Sequence, residues 1–237
     1  MERCLIIIPA HNEEDALSRV LKDLEENVPR YQKVVVNDGS TDNTSAVARA
    51  NGVVVIDLPY NLGIGGAVQT GYRYAFINNY DIAVQFDADG QHIAKEIPLL
   101  VNPVLHGEAD LVVGSRFLKE SGYTSSVMRQ VGIKILAGVI SLITRSKITD
   151  PTSGFRAANR KVIEFFNRVY PDDYPEPESL VLLHKAGFKV REVPVRMRKR
   201  QAGDSTITPM RAIYYMIKVL LSIFVDVLKK IEKPKGA

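Results

Sequence analysis

Short β-rich apolar runs alternate with stretches of helical periodicity through the first half of the chain. Residues 5–8, 34–36, 53–58, 82–86 and 111–114 read as strands. Ala16, Leu17, Val20, Leu21 and Leu24 recur at helical spacing. Asn12 is the expected cap of that helix, with Glu13, Glu14 and Asp15 in its first turn. A short helix through Ala46, Val47 and Ala50 stops at Asn51-Gly52. Residues 59–66 read as a glycine-rich loop, residues 67–78 as the next helix, and a further helix ends near His106. This alternation predicts an α/β fold with right-handed βαβ units, in which a mostly parallel central sheet carries helices on both faces. Ligands in such sheets collect beyond the carboxyl ends of the strands. Asn12-Glu13, Asp38-Gly39, residues 61–66, residues 87–91 and Ser115-Arg116 all follow strand ends and are expected on one edge.

Beyond residue 115 the pattern changes. Residues 117–126 read as a loop, 127–144 as an apolar helix, 150–156 as turns, and 160 to about 169 as a helix. Residues 170–177 hold three prolines among acids, and a helix over 178–186 follows. Residues 189–196 read as a strand that Pro194 marks as an edge. Residues 197–208 are basic, and 209–230 form a last helix. One domain is expected over 1–208, then an amphipathic helix and basic tail over 209–237. Met210, Ile213, Tyr214, Ile217, Leu220, Leu221, Phe224, Val225 and Leu228 with Arg211, Lys218, Asp226, Lys229 and Lys230 suit a helix lying in a membrane interface, or equally one packed in a core or homo-oligomer.

Composition narrows the class. The 237 residues are 46% hydrophobic and 24% charged, as in an ordinary globular protein. A net charge of +4 favours anionic partners such as a nucleotide, a lipid phosphate or a membrane surface. No helix-turn-helix, zinc finger or aromatic-interleaved basic sheet is apparent, so a nucleic-acid partner is not expected. The single cysteine, Cys4, excludes an intrachain disulfide and a multi-cysteine zinc site. Residues 1–10 lack a signal-peptide layout, and no run reaches roughly 18 apolar residues. A cytoplasmic protein, peripheral on the inner face of a membrane, is expected.

The chemistry concentrates where the run at residues 82–86 ends in Asp87-Ala88-Asp89-Gly90-Gln91-His92. Two carboxylates at a buried strand end repel each other and lose solvation, which magnesium or manganese would relieve; a polar turn is the plainer reading. Asp38 could accept hydrogen bonds from a base or ribose or simply close a turn, and Arg116 could reach a phosphate or lie solvated. Glu176 and Glu178 flank Pro177 at a helix start, where acids are common, and either could be a general base. The glycines of residues 63–66 do not make a dinucleotide fingerprint, since Val68 takes the place of its last glycine.

Taken in order, residues 8–13 (IPAHNE), 36–42 (VNDGSTD), 61–63 (NLG), 86–92 (FDADGQH), 114–116 (GSR), 150–156 (DPTSGFR), 192–195 (EVPV) and 200–205 (RQAGDS) resemble the family 2 glycosyltransferases of GT-A fold. The likeness is strongest to the dolichyl- or polyprenyl-phosphate sugar synthase-like branch. It implies that Pro9, Ala10 and Glu13 line a base and ribose pocket with Asp38. It implies that Asp89 is the principal ligand of Mg2+ or Mn2+, with Asp87 on the ribose side and Gln91 a helper. Asn61, Gly63, Ala88 and Arg116 belong to the same matched donor-site motifs. Arg200 and Ser205 match a basic loop that closes over phosphates. Glu176 matches the spacing of the usual base, and Glu178 the acid kept in the lipid-phosphate branch. The implied activity is inverting, metal-dependent transfer of one sugar from a UDP, GDP or dTDP sugar to a lipid-phosphate, lipid-linked or glycan acceptor. A sugar-1-phosphate nucleotidyltransferase would need a glycine-rich loop after the first strand, and residues 9–13 contain no glycine. A non-catalytic scaffold would not need Asp87, Asp89, Glu176, Glu178 and Arg200 together.

Overall fold

The computed structural model describes residues 2–118, 127–198 and 209–229. Four strands form the first, wholly parallel part of a seven-stranded sheet: β1 (Cys4–Ala10), β2 (Gln32–Asn37), β3 (Val54–Asp57) and β4 (Ile82–Gln85). The other three are β5 (Leu111–Ser115), β6 (Arg156–Asn159) and β7 (Val190–Pro194). Their order is β3-β2-β1-β4-β6-β5-β7, with β7 at the edge where Pro194 placed it. β6 is antiparallel to both its neighbours, β4 and β5. The sequence reading gave residues 150–156 to turns and foresaw no strand after them. Arg156 interrupts what would otherwise be an apolar run, and only its buried partners make that position tolerable in a strand.

The helices are α1 (Glu14–Asn27), α2 (Thr44–Ala50), α3 (Gly63–Ile77), α4 (Ile97–Leu105), α5 (Val127–Thr144), α6 (Arg160–Arg168), α7 (Pro175–Ala186) and α8 (Pro209–Leu228). Two apolar cores cover the two faces of the sheet. Leu17, Leu21 and Leu24 of α1, Ala48 of α2 and Leu100 of α4 pack with Ile6, Ile8 and Val84 on one face. Tyr72 of α3, Ile140 of α5, Phe166 of α6, Leu183 of α7 and Ile223 of α8 pack with Ile7, Val36 and Ala83 on the other. Alternate residues of one strand thus serve opposite cores, as the pleat requires.

Two helix starts differ from expectation. Asn12 does not cap α1: it has φ 55°, and its side-chain oxygen accepts from Thr41 N at 2.8 Å. The start of α1 is tied instead by Glu13 N to Thr44 Oγ1 (2.9 Å) and Glu14 N to Asp42 Oδ2 (3.1 Å). The glycines of residues 63–66 open α3 rather than forming a loop. Gly65 lets α3 lie against the 171–172 turn, since a Cβ there would come within 2.2 Å of the Asp172 carbonyl oxygen.

At the carboxyl end of β5, Arg116 is buried and bound by the fully buried Asp150 through Nε (2.6 Å) and Nη2 (2.7 Å). Asp150 also accepts Arg116 N, and the Glu192 carboxylate of β7 accepts Thr149 N and Asp150 N, each at 2.8 Å. Removing one member of such a pair strands a buried charge. Asp150→Ala is therefore expected to lower unfolding free energy by about 3–5 kcal/mol, measured by urea denaturation; a loss near zero would show the pair to be idle.

Candidate active site

The carboxyl ends of β1, β2 and β4 open on a cleft of about 280 Å³. It is lined by Pro9, Ala10, His11, Glu13, Asp38, Asn61, Gly63, Asp87, Ala88 and Asp89. The sheet therefore brings together the residues that the sequence placed after three strand ends and in the glycine-rich loop after a fourth. Asp38 serves the architecture as well as the cleft. Its buried carboxylate accepts Leu62 N at 2.7 Å and Gly63 N at 3.0 Å, holding the first turn of α3. Its backbone carbonyl lies 2.8 Å from His11 Nδ1.

Asp87 projects into the cleft, partly desolvated by its walls but with its side chain still 36% exposed. Burial pushes its carboxyl up to about 6, against the lowering influence of Gln85, Arg116 and Arg156. His92 steadies it from behind. The imidazole is buried and stacks on Phe155 at 4.7 Å, and its Nδ1 accepts the Asp87 backbone N–H at 3.0 Å. That contact leaves the proton on Nε2, which faces Asp87 Oδ2 at 3.4 Å. Burial lowers the His92 pKa to about 4, so the ring is neutral in this role. Asp89 Oδ1 accepts Gln91 N at 2.9 Å across Gly90, whose φ is 78°. The Gln91 carbonyl accepts Arg198 N at 2.8 Å, which brings the start of the basic segment to this edge.

The two glutamates of α7 part company. Glu176 faces Arg156, Asp87 and Gln85, and desolvation raises its pKa. Glu178 is buried against α8, where it faces Ser222, Asp226 and Lys229. Desolvation, with the Asp226 carboxyl beside it, raises Glu178 to about 7. Arg116 is committed to Asp150 and Thr152 rather than directed at the cleft. Arg200 and Ser205 lie outside the described residues, as does residue 208, the expected domain boundary.

Arg156, His92 and Gly154 were given no individual role from sequence, although all sit in recognised motifs. Arg156 is 1% exposed and donates to Ser153 O (2.7 Å), Pro151 O (3.2 Å), Glu176 O (2.8 Å) and Ser179 Oγ (2.7 Å). The signal available was an arginine inside an apolar strand. Gly154 carries no positive φ; a Cβ there would lie 2.9 Å from Gln85 Nε2 and 3.2 Å from Asp87 Oδ1.

The donor set fits a hard divalent cation. Four acidic side chains, Glu13, Asp38, Asp87 and Asp89, line the cleft, and the Asp87 carboxyl is raised toward its neutral form. No cluster of three or more histidine, cysteine or acidic side chains positioned for a metal occurs among the described residues. Magnesium and manganese take hard oxygen ligands and are commonly held by one or two carboxylates with substrate phosphates.

Two outcomes follow from this geometry. Gly154→Ala should keep the fold but reduce turnover at least tenfold by pushing on Gln85 and Asp87; unaltered turnover would show that the close approach is unnecessary. The raised Glu178 carboxyl stabilises the protein fully below its unfolded value of 4.5, and that contribution is lost as pH rises through about 7. Glu178→Gln is thus expected to raise the melting temperature at pH 8 by roughly 2–4 °C and to make little difference at pH 4.5, checked by calorimetry.

Residues 5–166 match the glycosyl transferase family 2. The chain is 30% identical to the polyprenol monophosphomannose synthase of Mycolicibacterium smegmatis, over 92% of this chain and 86% of that protein. It is also 30% identical to a UDP-N-acetylglucosamine–dolichyl-phosphate N-acetylglucosaminyltransferase of Methanococcus voltae, over 81% of this chain and 84% of the other. Among solved structures, it resembles glucosyl-3-phosphoglycerate synthase from Mycobacterium tuberculosis in complex with Mn2+, UDP and glucosyl-3-phosphoglycerate. The TM-score is 0.74 at 20% identity, covering 99% of this chain and 82% of that one. The fold is of GT-A type, and the chain belongs to glycosyl transferase family 2 and is a glycosyltransferase.

Proposed function

We propose that this glycosyltransferase moves one sugar, with inversion and with a divalent cation, from a nucleoside-diphosphate sugar to a lipid-phosphate acceptor. The observation that carries the reading is the convergence of Asp38, Asp87 and Asp89 on one cleft, with Glu176 beside Asp87. Pro9, Ala10, Glu13 and Asp38 would receive the base and ribose, with Asn61 and Gly63 at the rim. Asp89 and Asp87 would hold Mg2+ or Mn2+, with Gln91 in support. When bound, the cation neutralises charge developing on the departing diphosphate. Glu176 is the acceptor-facing acid. Glu178, turned toward α8, takes no part. Arg200 and Ser205 would act on phosphate oxygens, and Arg116 would serve the site by fixing the 149–152 turn beside it.

The lipid acceptor is supported by two relatives whose names specify dolichyl-phosphate and polyprenol substrates, and by the surface of α8. Tyr214, Ile217, Leu221, Phe224 and Leu228 form an exposed apolar stripe, each at least 60% exposed, with Lys218 against the Tyr214 ring. No helix among the described residues is long and apolar enough to cross a membrane. An exposed apolar stripe with basic flanks suits the plane of a lipid interface.

A thermal-shift screen of UDP, GDP and dTDP sugars with and without manganese should single out one donor, because ligand bound to the folded state raises its apparent stability. Asp89→Asn should abolish the manganese-dependent part of that shift and of sugar transfer; an intact manganese response would remove Asp89 from the metal site. Leu221→Ser with Phe224→Ser should reduce sedimentation with anionic liposomes several-fold. Unchanged sedimentation together with loss of a dimer would assign the stripe to self-association.

A further inference from the structure

Beneath the cleft lies a buried amide without a hydrogen-bond partner. Gln85 ends β4 two residues before Asp87, so the two side chains leave the chain toward the same face. It is 1% exposed, and neither Nε2 nor Oε1 makes a hydrogen bond among the described residues. A buried amide left in that condition is costly, and an apolar side chain of equal length would avoid the cost. Its position in an otherwise apolar strand therefore calls for a gain elsewhere.

Its surroundings identify that gain. The Gln85 nitrogen and the Asp87 carboxylate converge on the bare Cα of Gly154: a Cβ built there would lie 2.9 Å from Nε2 and 3.2 and 3.3 Å from the two Asp87 oxygens. Arg156 pairs with Gln85 across β4 and β6 and donates to Glu176 O at 2.8 Å, which brings the first turn of α7 to the same amide; Gln85 favours the charged form of both carboxylates. The nearby Arg156 guanidinium does not take this place, because its hydrogen bonds run to three backbone carbonyls and Ser179. The amide can offer one N–H to each carboxylate.

We propose that Gln85 is a positioning residue for sugar transfer, its amide holding the Glu176 carboxylate beside Asp87 and aiming it at the acceptor side of the cleft. This rests on the reading of Glu176 as the acceptor-facing acid. Gln85 itself touches neither nucleotide nor lipid; it acts through Glu176.

The test uses the full chain, the nucleotide sugar selected by thermal shift, manganese, and a short-chain polyprenyl phosphate in detergent. Gln85→Met keeps side-chain length and removes both donors. It should lower kcat at least tenfold while the donor KM and calorimetric affinity for the nucleoside diphosphate stay within about twofold, with the melting temperature unchanged or higher. In a Glu176→Gln background the same substitution should cost less than about twofold, because residues that act as a unit do not contribute additively. Full turnover in Gln85→Met, or equal losses in the two backgrounds, would overturn the role of Gln85 while leaving that of Glu176 intact. Wild-type turnover in Glu176→Gln would overturn both, and so distinguishes failure of the underlying reading. Should Gln85→Met fold poorly, Gln85→Leu and a lowered melting temperature as the main effect in both would reduce Gln85 to a structural residue.

Discussion

A fully buried guanidinium has to find acceptors, and where Arg156 finds them decides how the second half of the molecule is arranged. Its partners are the carbonyls of Pro151, Ser153 and Glu176 and the hydroxyl of Ser179. They belong to the turn before β6 and to the first turn of α7. Because each is a directional contact to a desolvated charge, the strand, the turn and the helix start behave as one unit. The antiparallel pairing of β6 with β4 then sets Arg156 opposite Gln85. Gly154 is thereby brought against Asp87, and Glu176 arrives from the far side. A site divided between a parallel half and an antiparallel insertion is thus held at its seam by one charge.

The same helix start explains why two neighbouring glutamates have different environments. Residues two apart on an α-helix point about 200° apart. When Glu176 faces the cleft, Glu178 must face away, and α8 is what it meets. There Glu178 and Asp226 are both buried carboxyls, each with one oxygen lacking a hydrogen-bond partner among the described residues, and Lys229 Nζ approaches Asp226 Oδ1 at 2.7 Å. Helix geometry therefore gives the two glutamates separate surroundings, and the proposed division of roles follows from that separation.

Much of the frame was legible in the sequence because it rests on local periodicity. The runs that became β1 to β5, the edge position of β7 and the apolar stripe of α1 all follow from patterns within single segments. The cleft was legible for a related reason: in a parallel sheet, polar residues after strand ends have one edge to go to. What escaped depends on partners distant in sequence. Asn12 reads as a cap until Thr41 claims its side chain, and residues 63–66 read as a loop until the Asp38 carboxylate ties the start of α3. Arg116 reads as either a phosphate ligand or a solvated arginine, and its pairing with Asp150, thirty-four residues on, is not visible in the local sequence. Strand β6 is the extreme case, since the charge that disguises it in the sequence is the group that anchors it in the fold.

Helix α7 links donor chemistry to the surface proposed to meet the lipid. Its first turn brings Glu176 toward Asp87 and Gln85, while its other side carries α8 through Glu178 and through Lys185, whose Nζ donates to the carbonyls of Asp226 (2.7 Å) and Val227 (2.6 Å) near the carboxyl end of α8. A cation in that position satisfies terminal carbonyls and suits the negative end of the helix dipole. Val219 and Ile223 of α8 are buried in the core that α7 shares, and the opposite face of α8 is the exposed stripe. Packed helix axes lie about 8–10 Å apart. On the proposed reading, Glu176 and the exposed stripe lie on opposite sides of the packed α7 and α8, so a phosphate head group must travel about two helix widths, roughly 20 Å, from the lipid surface to Glu176. The proposed lipid acceptor therefore has to rise past α8 toward the cleft rather than stay in the plane of the stripe.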